Sequence, residues 1–309
     1  MQSFNTGFDS RRGVRNRNIV GCGQIMEVKK NRWGKWIRRI FVVVVAGYGG
    51  IVVLMAVFQR SLIYSPVKLP PNARLPLPPE TCEISFTVDG VGRIFGIYHP
   101  PKKDELVVLL LHGNAENVLY YLDLFKGLVR LNVGVLMIDY PGYGKSEGSP
   151  TEGTLYRSAE RALEWLNREQ KIPFSRVVLF GKSLGTGVAT HLAAEHSCAA
   201  LILESPFKSL ASVGQRKYPF LPVSLVLVDR YEVLSRISRV GEPLLVIVAE
   251  KDSLVAPDES FAVYEAATEP KTLLVIKDAD HGNIQSVGGD FYWRRIRWWL
   301  KNISKKTNN

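Results

Sequence analysis

The stretch Val177-Val-Leu-Phe-Gly-Lys-Ser-Leu-Gly-Thr-Gly-Val-Ala189 decides how the rest of this sequence is interpreted. An apolar, β-branched run leads into Gly-Lys-Ser-Leu-Gly, and small and apolar residues then continue at helical spacing. This order predicts a strand, a sharp turn and a helix that together present the Ser183 hydroxyl above a parallel sheet. Glycine is expected at Gly181 and Gly185 because a Cβ atom at either position would collide with the neighbouring strand or helix.

Two other interpretations of this motif have to be weighed. Gly-x-Ser-x-Gly occurs by chance in roughly one chain in ten of this length, and it then marks a solvated serine in a glycine-rich loop. Gly-Lys-Ser also resembles the end of a phosphate-binding loop. The first glycine of that loop would fall at Ser175 or Arg176, and neither is glycine. The flanking strand and helix patterns therefore favour a nucleophilic serine.

Composition indicates a globular protein with one additional segment. The chain has 309 residues, of which 46% are hydrophobic and 22% charged, and this suits one large α/β domain plus an extra piece. Its net charge of +11 is concentrated near the start, where residues 1–39 hold ten Lys and Arg against Asp9 and Glu27. The remaining chain is nearly balanced, so a nucleic-acid partner is not expected.

The cysteines predict neither a metal site nor a disulfide framework. Cys22, Cys82 and Cys198 are odd in number and far apart, and no Cys-x-x-Cys spacing occurs. No metal and no cofactor are therefore expected, and no protein partner is indicated by any motif.

The N-terminal part of the chain predicts a membrane anchor. Residues 1–39 form a basic polar tail, and residues 40–58 are nineteen uncharged residues. As a helix they span roughly 28 Å, close to the thickness of a bilayer core. The alternatives are a buried core helix and a cleaved signal peptide. A signal peptide is disfavoured because the apolar stretch is long and no small-x-small cleavage pattern follows Phe58.

Charge bias predicts the orientation of this span. Ten basic residues precede it, whereas Arg60 and Lys68 are the basic residues just after it. The positive-inside rule then places the N-terminus in the cytoplasm and the C-terminal domain on the other side of the membrane.

The rest of the chain predicts an α/β domain. Residues 59–80 contain six prolines and indicate a stiff, extended linker. In residues 81–306, a hairpin at 82–97 is followed by apolar runs that alternate with helical patterns. This alternation predicts a mostly parallel sheet with helices on both faces. Strands are predicted at 106–111, 133–138, 177–180, 199–203, 244–248 and 272–276, and helices at 118–130, 154–168 and 259–267.

Two further segments have distinctive patterns. Residues 205–240 interrupt the alternation and predict a small cap, apolar at 221–228. Residues 291–306 predict a last helix whose face Tyr292, Ile296, Trp299, Leu300 and Ile303 suits the core. The same helix is aromatic and basic, so a membrane-surface helix remains an alternative.

A nucleophilic serine requires a base, and the base requires an orienting carboxylate. His281 follows the last predicted strand and is the expected base. Asp252, which follows strand 244–248, is the expected acid, and Glu204 at the end of the preceding strand is the open alternative. The remaining histidines, apart from His112, are expected to be structural: His99, His191 and His196.

The oxyanion of an acyl-transfer reaction requires two backbone N–H donors. One is expected from Leu184, directly after the nucleophile. The other is expected from Asn114 in the turn after strand 106–111, with His112 and Gly113 as scaffold residues of that turn.

Together these motifs resemble the α/β-hydrolase superfamily. Within it, the chain resembles the single-pass, membrane-anchored serine hydrolases described as serine aminopeptidase-like or acyl esterase-like. The resemblance covers residues 59–303 and rests on Gln59-Arg-Ser-Leu-Ile-Tyr-Ser-Pro66, His112-Gly-Asn-Ala-Glu-Asn117, Asp139-Tyr-Pro-Gly-Tyr-Gly-Lys-Ser146 with Pro150-Thr-Glu152, Gly181-Lys-Ser-Leu-Gly185, Glu204-Ser-Pro-Phe207 and Asp280-His-Gly-Asn283. It departs at Val248-Ala249, where His-Gly is usual, and at Gly282, where asparagine is common.

The resemblance implies a hydrolase or lipase-like enzyme that forms an acyl-enzyme. The favoured substrate is an acyl ester or thioester of lipid-like character, because the chain combines an anchor with an apolar cap. A serine peptidase or aminopeptidase using the same site is one alternative. A membrane-anchored binding protein without activity is the other.

Overall fold

A computed structural model describes the backbone of residues 21–102 and 105–307, and the side chains of residues 32–102 and 105–305. The strands are β1 (Cys82–Val88), β2 (Gly92–His99), β3 (Val107–Leu111), β4 (Gly134–Ile138), β5 (Val177–Lys182), β6 (Ala200–Glu204), β7 (Leu244–Ala249) and β8 (Lys271–Ile276). The helices are α1 (Gly21–Ile63), α2 (Leu122–Val129), α3 (Glu152–Arg168), α4 (Leu184–Glu195), α5 (Leu210–Lys217), α6 (Val223–Val226), α7 (Val233–Ile237), α8 (Pro257–Ala266) and α9 (Ile284–Thr307).

The strands form one eight-stranded sheet in the order β1-β2-β4-β3-β5-β6-β7-β8. β1 and β2 form the predicted antiparallel hairpin, and β2 also pairs antiparallel with β4. All the other neighbours are parallel. The predicted α/β fold with a mostly parallel sheet is therefore confirmed. Because β3 to β8 are parallel, the loops that follow them leave from the same edge of the sheet.

Both faces of the sheet are covered, which explains why the central strands are continuous apolar runs. Every residue of β3, β4 and β6 is buried. One core cluster joins the sheet to α3, α4, α7 and α8, and the other joins it to α2 and α9. A sheet buried on both sides has no polar face, so its strands do not alternate apolar and polar residues.

The last helix is packed against the core. α9 is kinked at Gly289, whose φ is 45°, so the parts of the helix before and after Gly289 run in different directions. The predicted core-facing side chains are all at most 5% exposed: Tyr292, Ile296, Trp299, Leu300 and Ile303. This confirms the core-facing interpretation of the helix. Trp298 lies on the opposite side and is 55% exposed.

α1 is the helix that could cross a membrane. It is the only one among residues 21–102 and 105–307 that is long and apolar enough, over Arg32–Ile63, and its most apolar part is not buried. Burial in a soluble core is thus not what the structure shows, while a membrane span and a signal sequence both remain compatible. The chain divides into two compact units between Leu54 and Met55.

The structure differs from the expected boundaries at both ends of the apolar span. The described part of the basic tail, from Gly21, is helical, and residues before it lie outside the described part of the chain. Residues 59–63 belong to α1 and not to a linker. The segment that follows is packed on the domain: Tyr64 is 4% exposed, Leu69 N donates to Gly144 O, and Leu75 and Leu77 contact the second core cluster. The reason is that apolar residues between the prolines supply contacts that a free spacer would lack.

Three short helices lie between β6 and β7, where the cap is predicted. α5, α6 and α7 occupy residues 210–237. The Ser209 side chain caps α5 by accepting from Ser212 N, and Ser212 Oγ donates to the buried carboxylate of Glu259 in α8. The cap is thereby held to the main domain at its first helix.

Candidate active site

Ser183 lies in the turn between β5 and α4. Its backbone angles are φ 51° and ψ −119°, a region that non-glycine residues rarely adopt. A Cβ atom at Gly181 would lie 2.3 Å from the Gly185 carbonyl oxygen, and one at Gly185 would lie 2.1 Å from the Leu111 oxygen. The turn therefore requires glycine on both sides of the serine, and it holds the serine in one orientation.

Three side chains at the carboxyl edge of the sheet form a continuous hydrogen-bonded chain. Ser183 Oγ lies 2.9 Å from His281 Nε2, and His281 Nδ1 lies 2.8 Å from Asp252 Oδ2. Ser183 follows β5, Asp252 follows β7 and His281 follows β8. The structure thus brings together the residues predicted as nucleophile, acid and base, which lie up to 98 positions apart in the sequence.

Asp252 is held as a carboxylate by four donors. Its Oδ1 accepts from the N–H groups of Leu254 at 3.0 Å and Val255 at 2.7 Å, and its Oδ2 accepts from Ser205 Oγ at 2.8 Å. Burial disfavours the charged form, but the hydrogen bonds from His281, Val255 and Ser205 outweigh burial and lower the pKa of Asp252. An ionised acid can accept the Nδ1 proton of His281 and leave Nε2 facing the serine.

Glu204, the alternative acid, is bonded elsewhere. Its Oε1 accepts from Gln285 Nε2 and its Oε2 accepts from the Tyr292 hydroxyl, both at 2.7 Å. Lys182 Nζ lies 3.6 Å from Oε1. Burial and the neighbouring Glu204 raise the pKa of Tyr292, so its hydroxyl keeps the proton it donates. His281 is therefore hydrogen-bonded to Asp252 and not to Glu204.

The turn after β3 is built on His112. This side chain is fully buried; its Nδ1 lies 2.7 Å from Gly113 O, and Tyr140 N donates to its Nε2 at 3.3 Å. One nitrogen is thus a donor and the other an acceptor, as in neutral imidazole. Burial lowers the pKa of His112 to about 4, which agrees with a neutral ring. His112 is placed as a scaffold and not beside Ser183 as a second base.

The same turn lies against Ser183. A Cβ atom at Gly113 would be 3.3 Å from Ser183 Cβ. Gly113 N already donates to the Tyr121 hydroxyl at 2.8 Å. By contrast, no acceptor within residues 21–102 and 105–307 takes the N–H of Asn114 or Leu184. Leu184 is the first residue of α4, where the backbone donors have no partner inside the helix. These two N–H groups are available to bind a negatively charged oxygen.

The side chain of Asn114 makes contacts that the sequence does not reveal. Its Nδ2 donates to Ile63 O at 2.5 Å, and its Oδ1 accepts from Ser65 N at 3.1 Å and from the Tyr143 hydroxyl at 2.6 Å. Ile63 is the last residue of α1. The turn that carries one candidate oxyanion donor is therefore attached to the end of the apolar helix.

Two further residues support the site and were not predicted from the sequence. Ser205 has φ 50° and bonds Asp252, and Asp280 accepts from the N–H groups of Ser253 at 2.8 Å and His281 at 2.7 Å. Asp280 thereby links the loop of the acid to the loop of the base. The available signals were position and motif, because Ser205 directly follows β6 in Glu204-Ser-Pro-Phe207 and Asp280 directly precedes His281 in Asp280-His-Gly-Asn283.

The other histidines lie outside this chain of hydrogen bonds. His99 Nδ1 is bonded to Thr81, and His191 is bonded to Glu160 and stacked on the ring of Tyr156. Cys82 and Cys198 are free thiols, and the side chain of Cys22 lies outside the described residues. Within the described part of the chain, no three His, Cys, Asp or Glu side chains are grouped as metal ligands.

Comparison with known proteins identifies the class that this fold and site define. Residues 107–228 match a family model described as the alpha/beta hydrolase fold. A protein of Mycobacterium tuberculosis, described as uncharacterized, is 37% identical over 254 residues, which cover 81% of this chain and 90% of that protein. The alpha/beta hydrolase domain-containing protein WAV2 of Arabidopsis thaliana is 28% identical over 80% of this chain and 90% of its own. This chain belongs to the α/β-hydrolase superfamily.

Solved structures agree at the level of the fold. An esterase of Pyrococcus furiosus superposes with a TM-score of 0.62 and 22% identity, covering 77% of this chain and 98% of the esterase. An alpha/beta hydrolase from a Penicillium species superposes with a TM-score of 0.58 and 18% identity, covering 75% of this chain and 99% of that protein.

Proposed function

We propose that this protein is a membrane-anchored serine hydrolase that cleaves an acyl ester or thioester, with a lipid-like substrate favoured. The observation that carries the proposal is the continuous chain from Ser183 Oγ through His281 to Asp252 Oδ2, with contacts of 2.9 and 2.8 Å. Such a chain lets a weakly nucleophilic hydroxyl lose its proton as it attacks. Membership in a superfamily of hydrolases supports the reaction class.

In the first half of the reaction, Ser183 Oγ attacks the carbonyl carbon of the substrate while His281 Nε2 accepts the hydroxyl proton. Asp252 holds the Nδ1–H and stabilises the imidazolium that forms. The N–H groups of Asn114 and Leu184 donate to the carbonyl oxygen, which becomes negatively charged. When the tetrahedral intermediate collapses, the bond to the leaving group breaks and His281 donates its proton to that group.

In the second half, water attacks the acyl-enzyme. His281 Nε2 accepts a proton from the water, and the same two N–H groups stabilise the second oxyanion. Collapse breaks the bond between the acyl carbon and Ser183 Oγ, and the serine recovers its proton from His281. The products are a carboxylic acid and the free serine enzyme, so the step requires no cofactor.

The proposal of an ester substrate is supported by one protein of similar fold, the Pyrococcus furiosus esterase. A p-nitrophenyl ester series of increasing chain length, run beside aminoacyl amides and lysophospholipids, separates the esterase from the aminopeptidase alternative. Higher kcat/KM for longer acyl chains supports the proposal, and a preference for the amides contradicts it.

Anchoring is proposed to occur through residues 40–58, with the N-terminus cytoplasmic and the catalytic domain on the other side. Support comes from α1, which is long, apolar and unburied over Arg32–Ile63, and from the excess of basic residues before the span. Added protease tests the orientation in spheroplasts. Digestion of the C-terminal domain in intact spheroplasts supports it, whereas protection of the domain until lysis contradicts it.

A fluorophosphonate probe tests the serine directly. Wild-type protein should be labelled covalently at Ser183, and Ser183→Ala should remove the label and essentially all hydrolysis. Wild type that is not labelled although it is folded would support the non-catalytic alternative, and label that survives Ser183→Ala would place the nucleophile elsewhere.

A further inference from the structure

Several contacts bind the last turns of α1 to the cap and to the candidate active site. Residues 55–63 of α1 belong to the same compact unit as the rest of the domain. Arg60 Nε lies 3.3 Å from Asp229 Oδ2, and the Tyr64 hydroxyl donates to the same oxygen at 3.0 Å. The exposed end of the helix is thus fixed on the domain by a compensated charge pair.

Gln59 fixes the segment around α6. Its Oε1 accepts from Val228 N at 2.7 Å, and its Nε2 lies 3.3 Å from Val226 O. Val223 in this segment is buried, but two of its neighbours are exposed. Leu225 is 81% exposed and Val228 is 64% exposed. The cap therefore presents apolar side chains to its surroundings right beside the helix end.

The active-site edge has the same character. Tyr120 lies in the loop after β3 and is 64% exposed, and Leu254 lies in the loop after β7 and is 53% exposed. These loops leave the sheet at the carboxyl edge, the edge that carries Ser183. Exposed apolar residues that lie close together mark an interaction surface, and Leu225 and Val228 share one short segment of the cap.

The position of this surface identifies its partner. Val57 and Phe58 are 69% and 54% exposed and end the apolar span. Ile63, whose carbonyl binds Asn114, is five residues beyond Phe58, or about 7.5 Å along the helix axis. That distance is comparable with the depth of the headgroup region of a bilayer. The candidate oxyanion turn is thus tied to a point just outside the hydrocarbon core.

We propose that the cap segment 219–228 enters the lipid interface at the Ile63 end of α1, and that the substrate is an acylated lipid of that leaflet. The apolar side chains of Leu225 and Val228 reach the boundary between headgroups and acyl chains, and the active-site edge faces the same layer. This inference rests on the proposed hydrolase and on its anchor, and it adds where the substrate comes from.

A fluorescent probe on the cap tests the insertion. The full-length protein, with Cys22→Ser and Cys82→Ser, receives an environment-sensitive dye at Leu225→Cys and is reconstituted in phosphatidylcholine vesicles. The remaining Cys198 is buried, and burial raises its pKa to about 12, so it does not compete for the dye. Lipids that carry a nitroxide on the acyl chain should quench the dye on the order of twofold.

The matched control carries the dye at Gln170→Cys. Gln170 is exposed in the loop before β5, on the opposite edge of the sheet, and its dye should not be quenched. Absence of quenching at position 225 in protein that floats with the vesicles overturns the inference. Quenching at both positions also overturns it, because a specific cap contact would then be lacking.

Activity provides an independent readout. Leu225→Gln with Val228→Gln should lower hydrolysis of a vesicle-borne ester about tenfold while short soluble esters are hydrolysed as before. Trp298→Gln changes another exposed apolar residue, 55% exposed on α9, and should change neither rate. A loss with Trp298→Gln instead would place the lipid contact on α9 and overturn the inference.

These measurements separate the inference from the proposals beneath it. Protein that does not float with vesicles refutes the anchor, and protein that does not react with a fluorophosphonate refutes the hydrolase. A cap that dimerises the protein in detergent, with no quenching in vesicles, shows that a second copy covers the surface and contradicts the lipid contact.

Discussion

Two polar clusters lie side by side at the ends of β5 and β6, and their hydrogen bonds are arranged differently. The serine cluster contains Ser183 and Ser205 with Asp252 and His281. The glutamate cluster contains Glu204 and Lys182 with their partners on α9, Gln285 and Tyr292. Ser183 directly follows Lys182, and Ser205 directly follows Glu204, so neighbouring residues enter separate networks.

The two clusters differ in whether their hydrogen-bonding groups already have partners inside the protein. Both carboxylate oxygens of Glu204 are bonded inside the protein, and Lys182 is 6% exposed. In the serine cluster, Ser183 Oγ is bonded to His281, and within the described residues no acceptor takes the N–H groups of Asn114 and Leu184. A network whose donors and acceptors are all paired stabilises the fold. A network with unpaired donors can form hydrogen bonds to a substrate.

The largest expected effect separates the two carboxylates by activity. Asp252→Asn should lower kcat about 10³- to 10⁴-fold, because His281 would be held in the wrong tautomer. Glu204→Gln should leave kcat within about threefold, since Glu204 is not bonded to His281. Steady-state kinetics on a short p-nitrophenyl ester measure both. Equal losses in the two variants would assign Glu204 a part in the reaction.

The free energy of unfolding should show the opposite order, with the larger loss in Glu204→Gln. Glu204→Gln leaves the Lys182 ammonium buried without its carboxylate, and we expect a loss of about 3 kcal/mol in the free energy of unfolding. Adding Lys182→Met should recover much of that loss because the apolar stem is kept and the charge removed. Chemical denaturation in detergent measures the free energy of unfolding of wild type, Glu204→Gln and the double variant. A double variant no more stable than Glu204→Gln would show that the ion pair is not the cause.

The sequence predicted the residues of the serine cluster better than those of the glutamate cluster, for a physical reason. Each of Ser183, Asp252 and His281 follows an apolar strand, and parallel strands bring such positions to one edge. The choice between Asp252 and Glu204 was open because it depends on α9. Tyr292 was expected in the core, but its hydroxyl bond to Glu204 spans 88 positions and leaves no local pattern.

The end of α1 likewise makes contacts that no local sequence pattern predicts. Prolines in residues 59–80 predicted an extended spacer, and the structure packs much of this segment on the domain. The decisive contacts join Ile63 and Ser65 to the side chain of Asn114, about fifty positions away. Composition describes the stiffness of a segment but not the surface that it meets.

A smaller effect concerns the turn that carries Asn114. His112 is buried and its pKa is lowered to about 4, whereas an unfolded histidine titrates near 6.5. Between these values the unfolded chain binds a proton that the folded protein does not, so stability falls on acidification. From pH 7 to pH 5 the loss from this residue should be about 2 kcal/mol.

His112→Asn tests that assignment. Its Nδ2 can still donate to Gly113 O but does not titrate, so the variant should lose less stability than wild type between pH 7 and pH 5. Denaturation at the two pH values gives both differences. The same pH dependence in wild type and variant would mean that another group is responsible.

The smallest expected effect tests whether Ser205 positions the acid. Its hydroxyl is one of four donors to Asp252, and losing it should lower kcat/KM about fivefold, the value of roughly one hydrogen bond. Ser205→Gly is the appropriate change because glycine accepts the φ of 50° without strain. Without this donor the pKa of Asp252 should rise toward its usual value, and the acid limb of the kcat/KM profile should move to higher pH. A uniform loss of activity at every pH, with no shift of the limb, would show that Ser205 supports only the local fold.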